Sequence, residues 1–192
     1  MTVEEKVLQT LLPENSFQST PFAESEWSPA LEFATVISSR LLFLTRVRDA
    51  SWYSTLSENA RAFVEEDLSR ERMRLALLEE ECAFALEELK RTGIEAIVLK
   101  GMDVAHRFYP TPLLRPMSDI DLLVPEVSYE AARKALAQAG LRQTELLYSH
   151  SFRGAISRES ESSVIDFHRR LLVYDTPARL QSYWTNSKVV GE

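Results

Sequence analysis

Up to about Thr92 the apolar positions of the chain follow a helical period, and beyond Ile94 they contract into short runs of strand length. Thr2 to Leu12 reads as a short helix opened by a Thr2-x-x-Glu5 capping box and ended by Pro13. The next stretch, PENSFQSTPFAESEWSP, is dense in turn residues and predicts irregular backbone. From Ala30 to about Arg48, Leu31, Ala34, Ile37, Leu41 and Leu44 recur at helical spacing. A longer pattern from about Asn59 to Thr92 places Leu75, Leu78, Cys82, Ala85 and Leu89 on one face, and Gly93 follows as a C-terminal cap. The runs RERMR and EEE on this helix predict a solvated face.

From Ile94 the pattern predicts the order β-α-β-α-β-β-β-α. IEAIVLK is a β-branched run, MDVAHRFY is helical, and proline-punctuated PTPLLRP leads into the strand DIDLLV. SYEAARKALAQAG is an amphipathic helix closed by Gly140. RQTELLYS, FRGAIS and SSVIDFHRR read as strands, and TPARLQSYWT as a last helix capped near Thr176. This order predicts an α+β fold: a small mixed sheet with helices over residues 94–192, preceded by a helical region over residues 1–93.

Composition narrows the chemistry. The 192 residues suffice for one ordinary domain, or a compact domain with a helical attachment, and the single cysteine excludes an internal disulfide or a cysteine zinc site. Cys82 on its apolar face reads as core. The three histidines show no common ligand spacing, so no histidine-rich metal centre is expected. No apolar stretch approaches the roughly 20 residues of a membrane span, and the acidic start does not resemble a signal peptide; a cytoplasmic protein is expected. Charge is uneven: residues 1–99 carry 10 basic and 18 acidic residues, a balance of −8, whereas residues 100–170 carry 10 and 9, a balance of +1. If metal neutralises three carboxylates, the second half becomes locally basic, which suits a polyphosphate ligand better than a long nucleic acid.

The chemistry concentrates in RPMSDIDLLV. On a strand, Asp119 and Asp121 point the same way, with Cα atoms about 6–7 Å apart. Carboxylates about 4 Å apart repel by roughly 4 kcal/mol at an effective dielectric near 20 and by only about 1 kcal/mol in water. Such a pair calls for a cation, a shared proton or open solvent. No basic residue lies between Asp119 and Val124, and Arg115 is the candidate upstream. Two further features fit one site. Gly101 follows Lys100 where a strand turns into a helix, placing the amides of Gly101, Met102 and Asp103 to cradle phosphate oxygens. Asp166 sits in a third apolar strand, where an unpartnered carboxylate is costly. Lys100 and Arg115 are candidates for phosphate oxygens, and Ser118 is a hydroxyl beside the pair. His168 shares the face of Asp166 but reads as structural, and His106 and Tyr109 as packing for the short helix.

The run VLKGMDVAHRFYPTPLLRPMSDIDLLV, with VIDFH some 40 residues on, resembles a bacterial family of uncharacterised nucleotidyltransferases within the DNA polymerase β-like superfamily, over roughly Ile94 to Arg170. The resemblance implies that superfamily's fold and a site in which Gly101 holds the triphosphate, Asp119 and Asp121 bind metals, and Asp166 completes the set. It implies two Mg²⁺ or Mn²⁺ ions, an NTP as substrate and transfer of a nucleoside monophosphate to a hydroxyl-bearing acceptor, a small molecule or a protein or peptide. Met102 stands where the superfamily usually has glycine or serine after the turn glycine, which removes a hydroxyl contact to phosphate, and the spacing from Gly101 to Asp119 is longer than usual. Relatives are longer, so a C-terminal helical part after NSKVVGE is expected to be missing or shortened. The rival readings are a D-x-D sugar-nucleotide glycosyltransferase and a module that binds nucleotide or a partner without turnover.

Overall fold

The computed structural model describes residues 1–12, 21–141, 164–171 and 175–187. The expected strands RQTELLYS and FRGAIS, and the chain from Lys188 onward, lie outside the described residues. The described elements are α1 (Val3–Leu11), α2 (Trp27–Val36), α3 (Arg40–Asp49), α4 (Glu58–Arg91), β1 (Ile97–Leu99), α5 (Lys100–Phe108), β2 (Asp119–Leu123), α6 (Tyr129–Gln138), β3 (Val164–His168) and α7 (Pro177–Asn186), with short 3₁₀ turns between them. The fold is α+β, with a small three-stranded mixed sheet and many helices. Among the described residues no helix is long and apolar enough to cross a membrane.

Local chemistry sets the helix ends. The capping box of α1 is complete, with Thr2 accepting from the Glu5 amide at 3.2 Å and Glu5 accepting from the Thr2 amide at 2.8 Å. At the end of α4, Gly93 adopts φ 73°. There the Ile94 amide donates to Leu89 and the Gly93 amide to Lys90, the paired bonds of a Schellman motif. The apolar stretch from Ala30 to Arg48 is broken in the same way. Ser38 takes φ 54°, the Ser39 amide donates to Ala34 and the Ser38 amide to Thr35, so α2 stops and α3 starts afresh. Thr176 caps α7, accepting from the Arg179 amide.

The chain forms two compact units, residues 1–75 with 109–116, and residues 76–108 with 117–192; the boundary falls within α4. The first unit is helical. Its core joins Val7, Phe22, Phe43, Leu44, Val47, Val64 and Leu68, and the rings of Phe22 and Phe43 meet edge to face at 5.4 Å. Buried Asp67 is held by Arg40 at 2.7 Å and Arg70 at 3.1 Å, so its charge is not left alone.

The second unit contains the sheet, in the order β1-β2-β3, with β1 antiparallel to β2 and β2 parallel to β3. Ile120 and Leu122 of β2, and Ile165 and Phe167 of β3, are fully buried. Each such side chain contributes about 1.5–3 kcal/mol of burial. Helix α6 buries Ala132, Ala135 and Leu136, and the Tyr129 ring lies 6.1 Å from that of Phe167. On α4, Leu78, Cys82, Ala85 and Leu89 are buried, as their spacing predicts. Glu81 is also buried, so the EEE run is not wholly a solvated face. Burial and the nearby Glu79 charge push the Cys82 thiol up to about 11. At pH 8 its thiolate fraction is thus about two orders of magnitude below that of an ordinary thiol. Native protein is expected to react with a chromogenic disulfide reagent at least that much more slowly than protein in denaturant.

Candidate active site

Strand alternation puts Asp119, Asp121 and Leu123 on one side of β2, and the parallel register pairs Asp121 with Asp166 and Leu123 with His168. Asp121 therefore has Asp166 directly beside it and His168 one pleat along. One ligand atom from each of these three residues lies within 4.8 Å of the other two. Two donors bound to one ion at about 2.0–2.3 Å each stand at most about 4–4.6 Å apart. The three groups can thus hold one divalent ion after small adjustments, and two carboxylates with an imidazole suit its charge. Asp119 is half-buried, pairs in register with Val164, and lies outside this close trio; the Ser118 hydroxyl is 3.4 Å from its Oδ1.

Lys100 completes the cluster from the other neighbouring strand. Leu99, the last residue of β1, is paired with Asp121, so the chain leaves the sheet beside that carboxylate. Lys100 takes φ 46°, a left-handed conformation unusual for a side-chain-bearing residue, and its Nζ donates to Asp121 Oδ1 at 2.6 Å. His168 Nε2 stands 2.7 Å from the same oxygen. The Asp121 side chain is only 4% exposed, whereas that of Lys100 is 58% exposed. Burial pushes the Asp121 carboxyl up, but the hydrogen bonds with His168 and Lys100 and the Lys100 charge outweigh it and hold the pKa below the usual carboxylate value.

This corrects the sequence reading in one respect. The counter-ion of Asp121 is Lys100, which lies 21 residues away along the chain but directly follows the strand paired with β2. Only the register makes it a neighbour. The first turn of α5 adjoins this point: Gly101 and Met102 are buried, Asp103 is half-buried, and the leading amides of a helix have no carbonyl partner within it. The left-handed residue at this junction is Lys100, while Gly101 is the second residue of α5.

Of the sequence candidates, Lys100, Asp121 and Asp166 come together, with Gly101 and Met102 in the adjoining helix turn and Ser118 and Asp119 toward the start of β2. Arg115 falls in the first unit, where its guanidinium donates to the Pro116 carbonyl at 3.2 Å. His106 is exposed and pairs with Glu79 at 2.9 Å. The structure adds His168, read from the sequence as structural, to this cluster. Its signal was present in the Asp-x-His spacing of β3, which repeats on that strand the same-face geometry of the Asp-x-Asp pair.

A buried carboxylate with a lysine, a second carboxylate beside it and a helix N-terminus next to the first can bind a cation and a polyphosphate and accept a proton from a hydroxyl. No curated protein and no solved structure matches the chain. Residues 23–191 match the family described as uncharacterised nucleotidyltransferase, a span that begins well before the Ile94 start of the sequence resemblance and takes in helices of the first unit as well as the sheet. With that span matched and an α+β fold of the kind expected for it, the chain belongs to the family of uncharacterised nucleotidyltransferases.

Proposed function

We propose that the protein is a metal-dependent nucleotidyltransferase that moves a nucleoside monophosphate from an NTP to a hydroxyl-bearing acceptor, a small molecule or a protein or peptide. The observation that carries this reading is the pairing of Asp121 with Asp166 on one sheet face beside the start of α5. Mg²⁺ or Mn²⁺, held by Asp121 and Asp166 with Asp119 serving a second ion, would offset phosphate charge and favour deprotonation of the acceptor. The first-turn amides of α5 orient the triphosphate, and the exposed Lys100 ammonium donates to a phosphate oxygen. Asp166 accepts the acceptor's proton as its oxygen attacks the α-phosphorus. The bond from that phosphorus to the bridging oxygen breaks, and pyrophosphate leaves.

The test is transfer of label in the presence of Mg²⁺ or Mn²⁺, with a cell extract supplying acceptors. Label at the α-phosphate is expected in a product, and label at the γ-phosphate in pyrophosphate. Appearance of γ-label in the acceptor would make the protein a phosphotransferase, and nucleotide binding without consumption would make it a binding module.

Gly101 gives a second check. A branched side chain at the start of α5 obstructs phosphate approach, so Gly101→Val is expected to weaken NTP binding by about ten-fold or more while nucleoside binding stays the same. Calorimetric titration with both ligands measures this, and equal losses for both would signal misfolding of the buried turn.

A further inference from the structure

We propose that His168 is a direct ligand of the ion held by Asp121 and Asp166, and that this nitrogen makes the site select a first-row transition ion such as Mn²⁺ over Mg²⁺. The inference deepens the metal-dependent reading, since it uses the same two carboxylates, but it concerns metal identity and needs no nucleotide.

The register carries the argument. Asp121 has Asp166 as its direct partner across the parallel pair, and His168 follows Asp166 by two residues on the same face of β3. The close trio consequently forms around β3, as Asp121, Asp166 and His168, and does not include Asp119 at the start of β2. The imidazole is already turned inward. Its side chain is 25% exposed, and Nε2 lies 2.7 Å from Asp121 Oδ1, among the atoms that would surround an ion. Mg²⁺ is a hard ion that favours all-oxygen shells and retains water, whereas imidazole nitrogen suits transition ions, whose affinities also rise along the first row.

The competing outcome is that His168 acts from outside the metal's shell, donating to Asp121 and orienting it. Pulsed electron paramagnetic resonance on the full chain loaded with Mn²⁺, without nucleotide, separates the two. The expected result is the ¹⁴N modulation of a directly bound imidazole, lost in His168→Gln. Calorimetry should show the ratio of Mn²⁺ to Mg²⁺ affinity falling by about ten-fold in that variant, with Mg²⁺ affinity itself little changed. Bound Mn²⁺ without nitrogen modulation in the wild type, or an unchanged affinity ratio in a folded variant, would overturn the proposal. The wild-type spectrum decides even if the variant does not fold. Nitrogen-bound Mn²⁺ without α-label transfer would count against the transferase reading alone; transfer with an all-oxygen Mn²⁺ shell would count against this one alone.

Discussion

Asp121→Asn is expected to reduce nucleotidyl transfer by about 10³-fold or more and also to destabilise the protein before any metal is added. The two effects have different origins. Transfer is lost because the variant removes the most buried carboxylate of the cluster. Stability is lost because Asp121 is a partnered charge, 2.6 Å from Lys100 and 2.7 Å from His168. The expected loss is about 1–2 kcal/mol, reduced from the full cost of breaking a buried pair because Lys100 is largely solvated. The sign with pH follows from the depressed pKa of Asp121. Its contribution is fully present above the unfolded carboxylate value, about pH 4, and disappears as pH falls through the lower folded value. Chemical unfolding at a series of pH values should therefore show wild type and variant apart at neutral pH and converging in acid. A variant as stable as wild type at pH 7 would show that the Lys100 and His168 contacts contribute nothing.

Asp166→Asn is expected to show the opposite balance, a loss of turnover of about 10²–10³-fold with stability unchanged or raised. The Asp166 side chain makes no hydrogen bond or ion pair among the described residues, and the residue is paired in register with Asp121. Neutralising it removes like-charge repulsion without orphaning a partner. If it receives the acceptor's proton, the transfer step should slow by much more than NTP binding weakens. Single-turnover kinetics with saturating NTP, alongside thermal unfolding in metal-free buffer, measures both. Loss of NTP binding in proportion to turnover would instead place Asp166 in ground-state nucleotide binding.

The contrast between these neighbouring aspartates shows what the sequence could and could not reveal. Period-two alternation was enough to put Asp119 and Asp121 on one face, and the apolar neighbours of Asp166 marked its strand as buried. Neither indicates which residues sit side by side across strands. That is set by register, and register made Lys100 the counter-ion of Asp121 and brought His168 into the cluster in place of Asp119. Helix ends followed the same logic. The breaks at Gly93 and Gly140 were legible because glycine occupies the left-handed position, whereas the Schellman turn between α2 and α3 was not, because Ser38 occupies it. The burial of Glu81 is not legible in the sequence, because a run of glutamates on a helix conveys only its average polarity.

The most direct test of the central claim is anomalous scattering from crystals grown with Mn²⁺ and an NTP analogue that cannot be cleaved at the α-phosphate. The account predicts a manganese peak about 2.0–2.6 Å from carboxylate oxygens of both Asp121 and Asp166, with the triphosphate on that ion and on the first turn of α5. A nucleotide bound elsewhere, or at this turn with no ion on Asp121, would contradict it.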